Sequence, residues 1–267
     1  MTQPAADPLA PLLELPGVPD AVDAARAAVD EVYRHPANRR GWPTTAAEAT
    51  VRAARASAAL DGGAAALSAD GVVRDPVLAG ALRAAEALGG LLGAWQRAPL
   101  QALARLHVLA ASDIVPDSDA LGRPRPVGAP YDDPLELGAA PDPLEVAARL
   151  DGLARVLTAG TSAPAVVVAA VVHGELMALR PFGTADGLVA RAAARLVLVD
   201  RGLDPKAVSA PEVGHAELHH DYPEALHAYV SGGPAGVARW IVHCAQAVSL
   251  GAREGLAVCE AIRRGTT

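Results

Sequence analysis

The chain contains 267 residues, of which 51% are hydrophobic and 3% aromatic, so it can form a substantial core built mainly from small aliphatic side chains. Its 30 acidic and 23 basic residues give a net charge of −7, and no cluster of Lys or Arg exceeds a pair, which argues against nucleic-acid binding. The N-terminus lacks a basic segment followed by a long apolar run, so we expect a cytoplasmic protein without a secretory signal or a membrane span.

The first half of the chain predicts a series of helices, over residues 20–35, 45–62, 76–95 and 100–111. Apolar residues at helical spacing indicate the first of them, inside an N-terminal helical extension assigned to residues 1–40. The second starts with Thr44 or Thr45 as its N-cap and ends at Gly62, where glycine can adopt a left-handed conformation. Pro99 separates the last two helices.

A segment rich in proline follows, over residues 115–143, and it carries seven prolines. No regular helix survives that density, so we predict an extended loop or hairpin. Beyond it, apolar spacing predicts helices over residues 144–157, 163–179, 187–201 and 223–264, the last including either one long helix or a broken pair from residue 234. Residues 163–179 are apolar on all sides, and their length favours a buried helix over a buried strand. The fold class is therefore predicted to be all-α.

The segment ALRPFGTADGLVARAAARL places a turn that contains glycine directly before a helix. Free backbone N–H groups and the positive end of the helix dipole favour an anion at such a position. Arg191, one turn into the helix, can reach the same anion with its planar guanidinium. On these residues alone, an ordinary loop-to-helix turn and an anion site both remain open.

This segment resembles the core motif of the Fic (Fido) family, HPFx(D/E)GNGRxxR, in a register that needs no gap. Pro181, Phe182, Gly187 and Arg191 match the motif. The resemblance makes Gly187 and Arg191 the candidates for binding an anion or a nucleotide, although Arg191 can equally be an arginine paired for structural reasons. The single phenylalanine, Phe182, is expected to fill the core beneath the turn.

The resemblance extends beyond the motif, over roughly residues 40 to 255. The segment LHVLAASDIVPDSDALGRPRPVGAP is similar to the helix, loop and flap of the family, including its G-x-x-R element. A Fic-like helical bundle with a small β-hairpin flap is therefore implied over residues 41–267. In that bundle the flap occupies residues 115–143 and the core motif residues 173–201.

Several positions depart from the family motif in ways that bear on activity. Arg180 stands at the position of the histidine that removes a proton from the target hydroxyl, and a guanidinium that stays protonated cannot be a general base. Thr184 replaces the acid that holds Mg²⁺, and a neutral hydroxyl is a poor ligand for that ion. Ala185 and Asp186 replace residues of the anion nest, and Leu188 replaces the first arginine. Asp186 is expected to repel a phosphate by about 1 kcal/mol or more.

A second segment, SAALDG, resembles the inhibitory helix of Fic proteins, whose pattern is (S/T)xxxE(G/N). Ser57, Asp61 and Gly62 are its candidate residues, with Asp61 in the place of the glutamate. In the family that acid pairs with the first motif arginine, which is missing here. Asp61 is therefore expected either to pair with Arg191 or Arg180, or to cap the end of the helix.

Histidine and cysteine residues offer further candidates. His215 and His219 have the spacing of metal ligands on a helix, but no HExxH motif or cysteine accompanies them, so we predict a solvated segment and no metal site. His173 lies about two turns before the motif turn, where it is either a buried structural residue or a substitute base. Cys244 and Cys259 are expected to be reduced, structural thiols.

Taken together, these residues favour a Fic-fold protein that has lost AMP transfer and serves as a binding or regulatory module with a weakened anion pocket. Its partner is then a protein or a small phosphorylated ligand, and a homodimer is a third reading. The alternative is a divergent nucleotidyl or phosphoryl transferase, or another enzyme that uses the same pocket. It would use Asp186 or His173 as base and Arg180 and Arg191 as electrostatic clamps. A nucleotide is the one cofactor that the resemblance suggests.

Overall fold

The computed structural model describes residues 7–64 and 71–265. Within those ranges the regular structure consists of ten α-helices and two short 3-10 helices, at Ala10–Glu14 and Ser118–Ala120. The α-helices are α1 (Val18–Arg34), α2 (Asn38–Leu60), α3 (Pro76–Arg97), α4 (Pro99–Ala111), α5 (Pro143–Ala159), α6 (Ala165–Leu179), α7 (Asp186–Asp200), α8 (Pro211–Glu217), α9 (Asp221–Ser231) and α10 (Pro234–Arg264). The all-α prediction is confirmed.

Helices α6 and α7 form an antiparallel pair at the centre of the molecule. Helix α6 is buried on nearly all sides, as its uniformly apolar sequence predicts. Gly174 lets two aromatic rings approach its backbone, because an added Cβ would lie 2.7 Å from Nε1 of Trp240 and 2.8 Å from the ring of Tyr229. Nε1 of Trp240 donates a hydrogen bond to the carbonyl of Ala170 at 2.8 Å. The close packing of Trp240 and Tyr229 against α6 therefore fixes the helix that leads into the turn.

Helix α10 packs against the N-terminal α1 and against α8, α9 and α6. It runs unbroken, which decides between the two readings left open for residues 234–264. Helix α8 approaches it closely at Gly214, where an added Cβ would lie 2.1 Å from the carbonyl oxygen of Ala247. That approach brings the imidazole of His215 against α10.

Helix α2 begins at Asn38, seven residues before its predicted start at residue 45, and ends at Leu60. Pro43 suggests a later start, but a proline in the second turn removes one backbone hydrogen bond and the helix continues through it. The helix therefore runs across the predicted boundary between residues 40 and 41. Its C-cap is Asp61, and the left-handed glycine after it is Gly62.

The predicted flap, residues 115–143, contains one 3-10 turn, and its residues, all of them described, form no paired strands. The small β-hairpin expected there is thus not formed, since prolines remove backbone donors along the segment. The flap is held by side chains and by isolated backbone hydrogen bonds, as described below.

Helix α3 is long and apolar enough, by length and composition, to cross a membrane. In this fold its buried side chains pack as part of the protein core, against α4, α2 and α7. Its N-terminus is capped by Asp75, whose carboxylate accepts a hydrogen bond from the amide of Leu78 at 2.7 Å. We therefore interpret α3 as a core helix.

Candidate functional site

The turn between α6 and α7 is tightly wound at both ends. Arg180 ends α6 with φ 45°, and Ala185 precedes α7 with φ 55°. The left-handed conformation is uncommon for residues with a side chain and persists where the surroundings fix it. Phe182, between them, stacks on His107 with ring centroids 4.3 Å apart, so the predicted packing role fits its position beneath the turn.

The flap docks on this turn through its backbone. The amide of Arg125 donates to the carbonyl of Pro181 at 2.8 Å, and the amide of Asp132 donates to the carbonyl of Gly183 at 2.8 Å. Nε of Arg125 also donates to the carbonyl of Arg180 at 3.0 Å. The carbonyl groups of Arg180, Pro181 and Gly183 are therefore satisfied by the flap.

Arg180 is buried beneath the flap. Its Nη1 donates to the carbonyl of Gly138 at 2.8 Å and lies 3.0 Å from Oδ2 of Asp133. Its guanidinium carbon lies 4.9 Å from the centre of the Tyr131 ring, a cation–π geometry. Arg180 thus ties the flap to the core and has no geometry for accepting a proton.

Asp186 occupies the amide groups of the turn. Its Oδ1 accepts from the amide of Phe182 at 3.1 Å and its Oδ2 from the amide of Gly183 at 2.8 Å. The residue is only 7% exposed. Burial raises the pKa of its carboxyl group to about 7. The two amide donors and Arg125 lower this pKa, but they do not outweigh burial. The turn therefore carries its own carboxyl group where a phosphate would find backbone donors.

A second carboxylate lies over the start of α7. An added Cβ on Gly187 would fall 2.4 Å from Oδ1 of Asp61 and 2.6 Å from its Oδ2, so only glycine allows this approach. Oδ1 of Asp61 also accepts from Nη2 of Arg191 at 2.6 Å. Of the arrangements left open for Asp61, the structure shows the pair with Arg191, and Asp61 is also the C-cap of α2.

Each nitrogen of the Arg191 guanidinium group is hydrogen-bonded within the protein. Beyond Asp61, its Nε donates to Oγ of Ser57 at 2.8 Å, and its Nη2 donates to the carbonyl of Ser57 at 3.0 Å. Its Nη1 donates to the hydroxyl of Tyr222 at 3.4 Å. Burial opposes the charge, but the attraction of Asp61 and Tyr222 outweighs it and raises the pKa of Arg191. These contacts tie α2 to α7.

A cavity of about 520 Å³ opens beside the turn. Among the described residues, its polar lining consists of four aspartates, one arginine, one tyrosine and one threonine: Asp61, Asp132, Asp133, Asp186, Arg180, Tyr131 and Thr184. Leu188 contributes to its apolar wall and is itself buried. The lining therefore contains four carboxyl groups and one cationic side chain, which is itself paired with Asp133, and this differs from a site built for phosphates.

His173 lies outside this cavity. Its Nε2 is 2.9 Å from the hydroxyl of Tyr222, and it lines a separate small cavity on the other side of Arg191. His215 lines the same small cavity, whereas His219 lies beyond the end of α8, at Glu217, and is exposed. The four-residue spacing of the two histidines thus does not place them on one helix, because the helix ends between them.

Two flap residues were missed by sequence reasoning. Tyr131 and Asp133 contact Arg180, but nothing in their own spacing marks them. The available signal was Arg180 itself, because a buried guanidinium requires an acid. The predicted flap contains six acidic residues, and nothing in the sequence singles out Asp133 among them.

Comparison of the whole fold with solved structures decides its class. The chain is similar to the crystal structure of a Fic family protein from Desulfovibrio desulfuricans G20, with a TM-score of 0.72 over 91% of this chain and 74% of that chain. The chain has the Fic fold. Sequence identity to that protein is 20%. No known family profile matches the sequence, and no curated protein matches it.

Within this fold, Arg180 anchors the flap, and Asp186 is an internal ligand of the turn between α6 and α7. The C-terminus of α2 contacts α7 through the pair of Asp61 and Arg191.

Proposed function

We propose that this Fic-fold protein does not transfer AMP and serves as a binding or regulatory module. One observation carries the proposal: one carboxyl group of the chain already occupies backbone donors at which a phosphate would bind, and a second lies against the start of α7. Asp186 engages the turn amides, and Asp61 covers Gly187 at the N-terminus of α7. A polyanion brought there would meet two carboxyl groups instead of free N–H groups.

The chemistry of the remaining residues supports the same conclusion. Arg180 stands at the position of the general base, and a guanidinium does not accept a proton in the physiological range. Thr184 stands at the position of the metal-binding acid. The carboxylates of Asp61 and Asp133 are both engaged by arginines. These residues do not fit a nucleotide with its Mg²⁺.

Charge also guides the choice of partner. The sequence leaves open two classes of partner, a protein and a small phosphorylated ligand. The carboxyl groups that line the cavity favour a protein, because they disfavour a phosphate. We further propose a cytoplasmic location, which agrees with two buried cysteines that form no disulfide.

A titration with MgATP, followed by amide chemical shifts, tests the proposal. We expect no saturable shift at Phe182, Gly183 and Gly187 up to about 5 mM, several times the usual upper range of KM values. The matched variant is the double substitution Asp61→Asn and Asp186→Asn, which removes both charges and is expected to show weak shifts at these amides. Saturable shifts in the wild-type protein would contradict the proposal. If the double variant also shows no shifts, the carboxyl groups are not what excludes the nucleotide.

A second function is favoured by the environment of Asp186. A carboxyl group with a pKa of about 7, next to a cavity of about 520 Å³, has the properties of a general base near neutral pH. The divergent-enzyme alternative therefore assigns Asp186 as base, with Arg180 as an electrostatic clamp. A metabolite whose turnover rises through pH 7 and is lost in Asp186→Asn would establish it.

A further inference from the structure

Three soft or borderline metal ligands converge in the core, away from the motif cavity. One ring nitrogen of His173, one of His215 and Sγ of Cys244 all lie within 4.8 Å of one another. The three side chains come from α6, α8 and α10, and each residue is at most 5% exposed. They line a cavity of about 20 Å³, large enough for one water molecule or one ion.

Neighbouring side chains orient both imidazoles. Nε2 of His173 lies 2.9 Å from the hydroxyl of Tyr222, and Nδ1 of His215 lies 3.0 Å from Nε2 of His243. A hydrogen bond at one ring nitrogen fixes the ring and leaves the other nitrogen for a metal, which is the usual arrangement around ligating histidines.

A positive charge near the three ligands favours a monovalent metal ion over a divalent one. Arg191 lines the same cavity and carries a buried positive charge, which disfavours the addition of a net cation. A thiol gives up its proton when it binds a metal. A monovalent ion that replaces the thiol proton leaves the buried charge unchanged, whereas a divalent ion would add one positive charge beside Arg191.

We propose that His173, His215 and Cys244 bind one Cu(I) ion in a trigonal N₂S site. Thiolate and imidazole ligands both suit copper, and thiolate selects its reduced form. In the exchange, the Sγ–H bond of Cys244 breaks, the proton leaves to solvent and an S–Cu bond forms without a change of oxidation state. His243 and Tyr222 act as positioning residues for the two rings.

The geometry requires only a small contraction. Bonds of about 2.0 Å to nitrogen and about 2.3 Å to sulfur, taken from well-characterised zinc sites, place trigonal ligands about 3.5 to 3.7 Å apart. The three ligand atoms are at most 4.8 Å apart, so side-chain rotations that move them by about 1 Å bring them to bonding positions. The site lies in a cavity separate from the motif cavity, and its test does not depend on the proposed function.

Anaerobic copper titration of the reduced full-length protein tests this site. Cu(I) is supplied from a chromophoric Cu(I) chelator, both to the folded protein and during refolding, and we expect one equivalent to be retained with a near-ultraviolet thiolate-to-copper absorption. Cys244→Ser is expected to lose that absorption and the stoichiometric binding. Cys259→Ser, which removes the other buried cysteine of α10, is the matched control and should bind as the wild type does. His243→Gln should weaken binding by about 10-fold or more while retaining the absorption.

Copper-edge X-ray absorption of the wild-type complex identifies the metal ligands directly. This part of the test therefore does not depend on whether the variants fold. The proposal requires two nitrogen scatterers and one sulfur scatterer. It is overturned if no copper is retained in either procedure, if Cys244→Ser binds as tightly as wild type, or if Zn²⁺ in equal concentration displaces the copper.

Discussion

Replacing Arg191 with methionine is expected to lower the free energy of unfolding by about 3 to 5 kcal/mol, the usual cost of removing one partner of a buried ion pair. Arg191 is 3% exposed and makes hydrogen bonds to Ser57, Asp61 and Tyr222. Methionine preserves the apolar part of the side chain but leaves those oxygen atoms without their donor. Urea unfolding followed by circular dichroism measures the change.

Two companion variants separate the ion pair from general damage. Arg253→Met removes an exposed arginine, whose nearest acid is Glu217 at 3.6 Å, and is expected to change stability by less than about 0.5 kcal/mol. Adding Asp61→Leu to Arg191→Met should recover part of the loss, because the double variant no longer buries an unpaired carboxylate. A loss of less than about 1 kcal/mol in Arg191→Met would show that the contact between α2 and α7 is not a main support of the fold.

The carboxyl group of Asp186 is expected to make the protein less stable as the pH rises. Its pKa is about 7 in the folded protein, against an ordinary value of 3.8. Between these values the folded state binds the proton more strongly than the unfolded chain, so the contribution of this group to stability falls as pH increases. From pH 5 to pH 8 the decrease is roughly 2 to 3 kcal/mol, at about 1.4 kcal/mol per pH unit below the folded pKa.

The variant Asp186→Asn isolates this contribution. Asparagine cannot ionise, so subtracting its stability from that of the wild type at each pH removes the titration of all other groups. The difference should move in favour of asparagine between pH 5 and pH 8. A difference that stays flat across this range would mean that Asp186 is ionised throughout, as a carboxylate well solvated by the turn amides would be.

Much of the fold follows from local sequence patterns. Apolar spacing places α1, α3, α4 and α5 close to their observed bounds, and the uniformly apolar segment of α6 indicates a helix enclosed by others. The predicted start of α2 is wrong because Thr44 and Thr45 have the side chain of an N-cap residue, whereas the helix begins earlier, where Nδ2 of Asn38 donates to the carbonyl of Val32 in α1 at 2.8 Å. Local propensity cannot report tertiary contacts of this kind.

The site is less accessible to sequence reasoning. The motif register identifies which residues stand at functional positions, but not what a substituted residue does there. From the sequence, Asp186 is expected to repel an external anion, and the structure adds that it binds the amides of Phe182 and Gly183 itself. Partners far apart in the chain, such as Asp133 for Arg180 and Cys244 for His173, depend on how the helices pack and on where the flap docks.

The central claim is that this Fic fold carries no AMP-transfer chemistry, and transfer of label from ATP labelled at the α-phosphate tests it most directly. The purified chain, with Mg²⁺ or Mn²⁺, is incubated alone and with proteins of a cell extract, in parallel with a Fic protein that has the intact motif. We expect no protein-bound label above background from the wild type or from Asp61→Asn, since relief of the Arg191 contact does not supply a base at Arg180. Label that appears with the wild type and disappears in Asp186→Asn would contradict the claim and assign the base to Asp186.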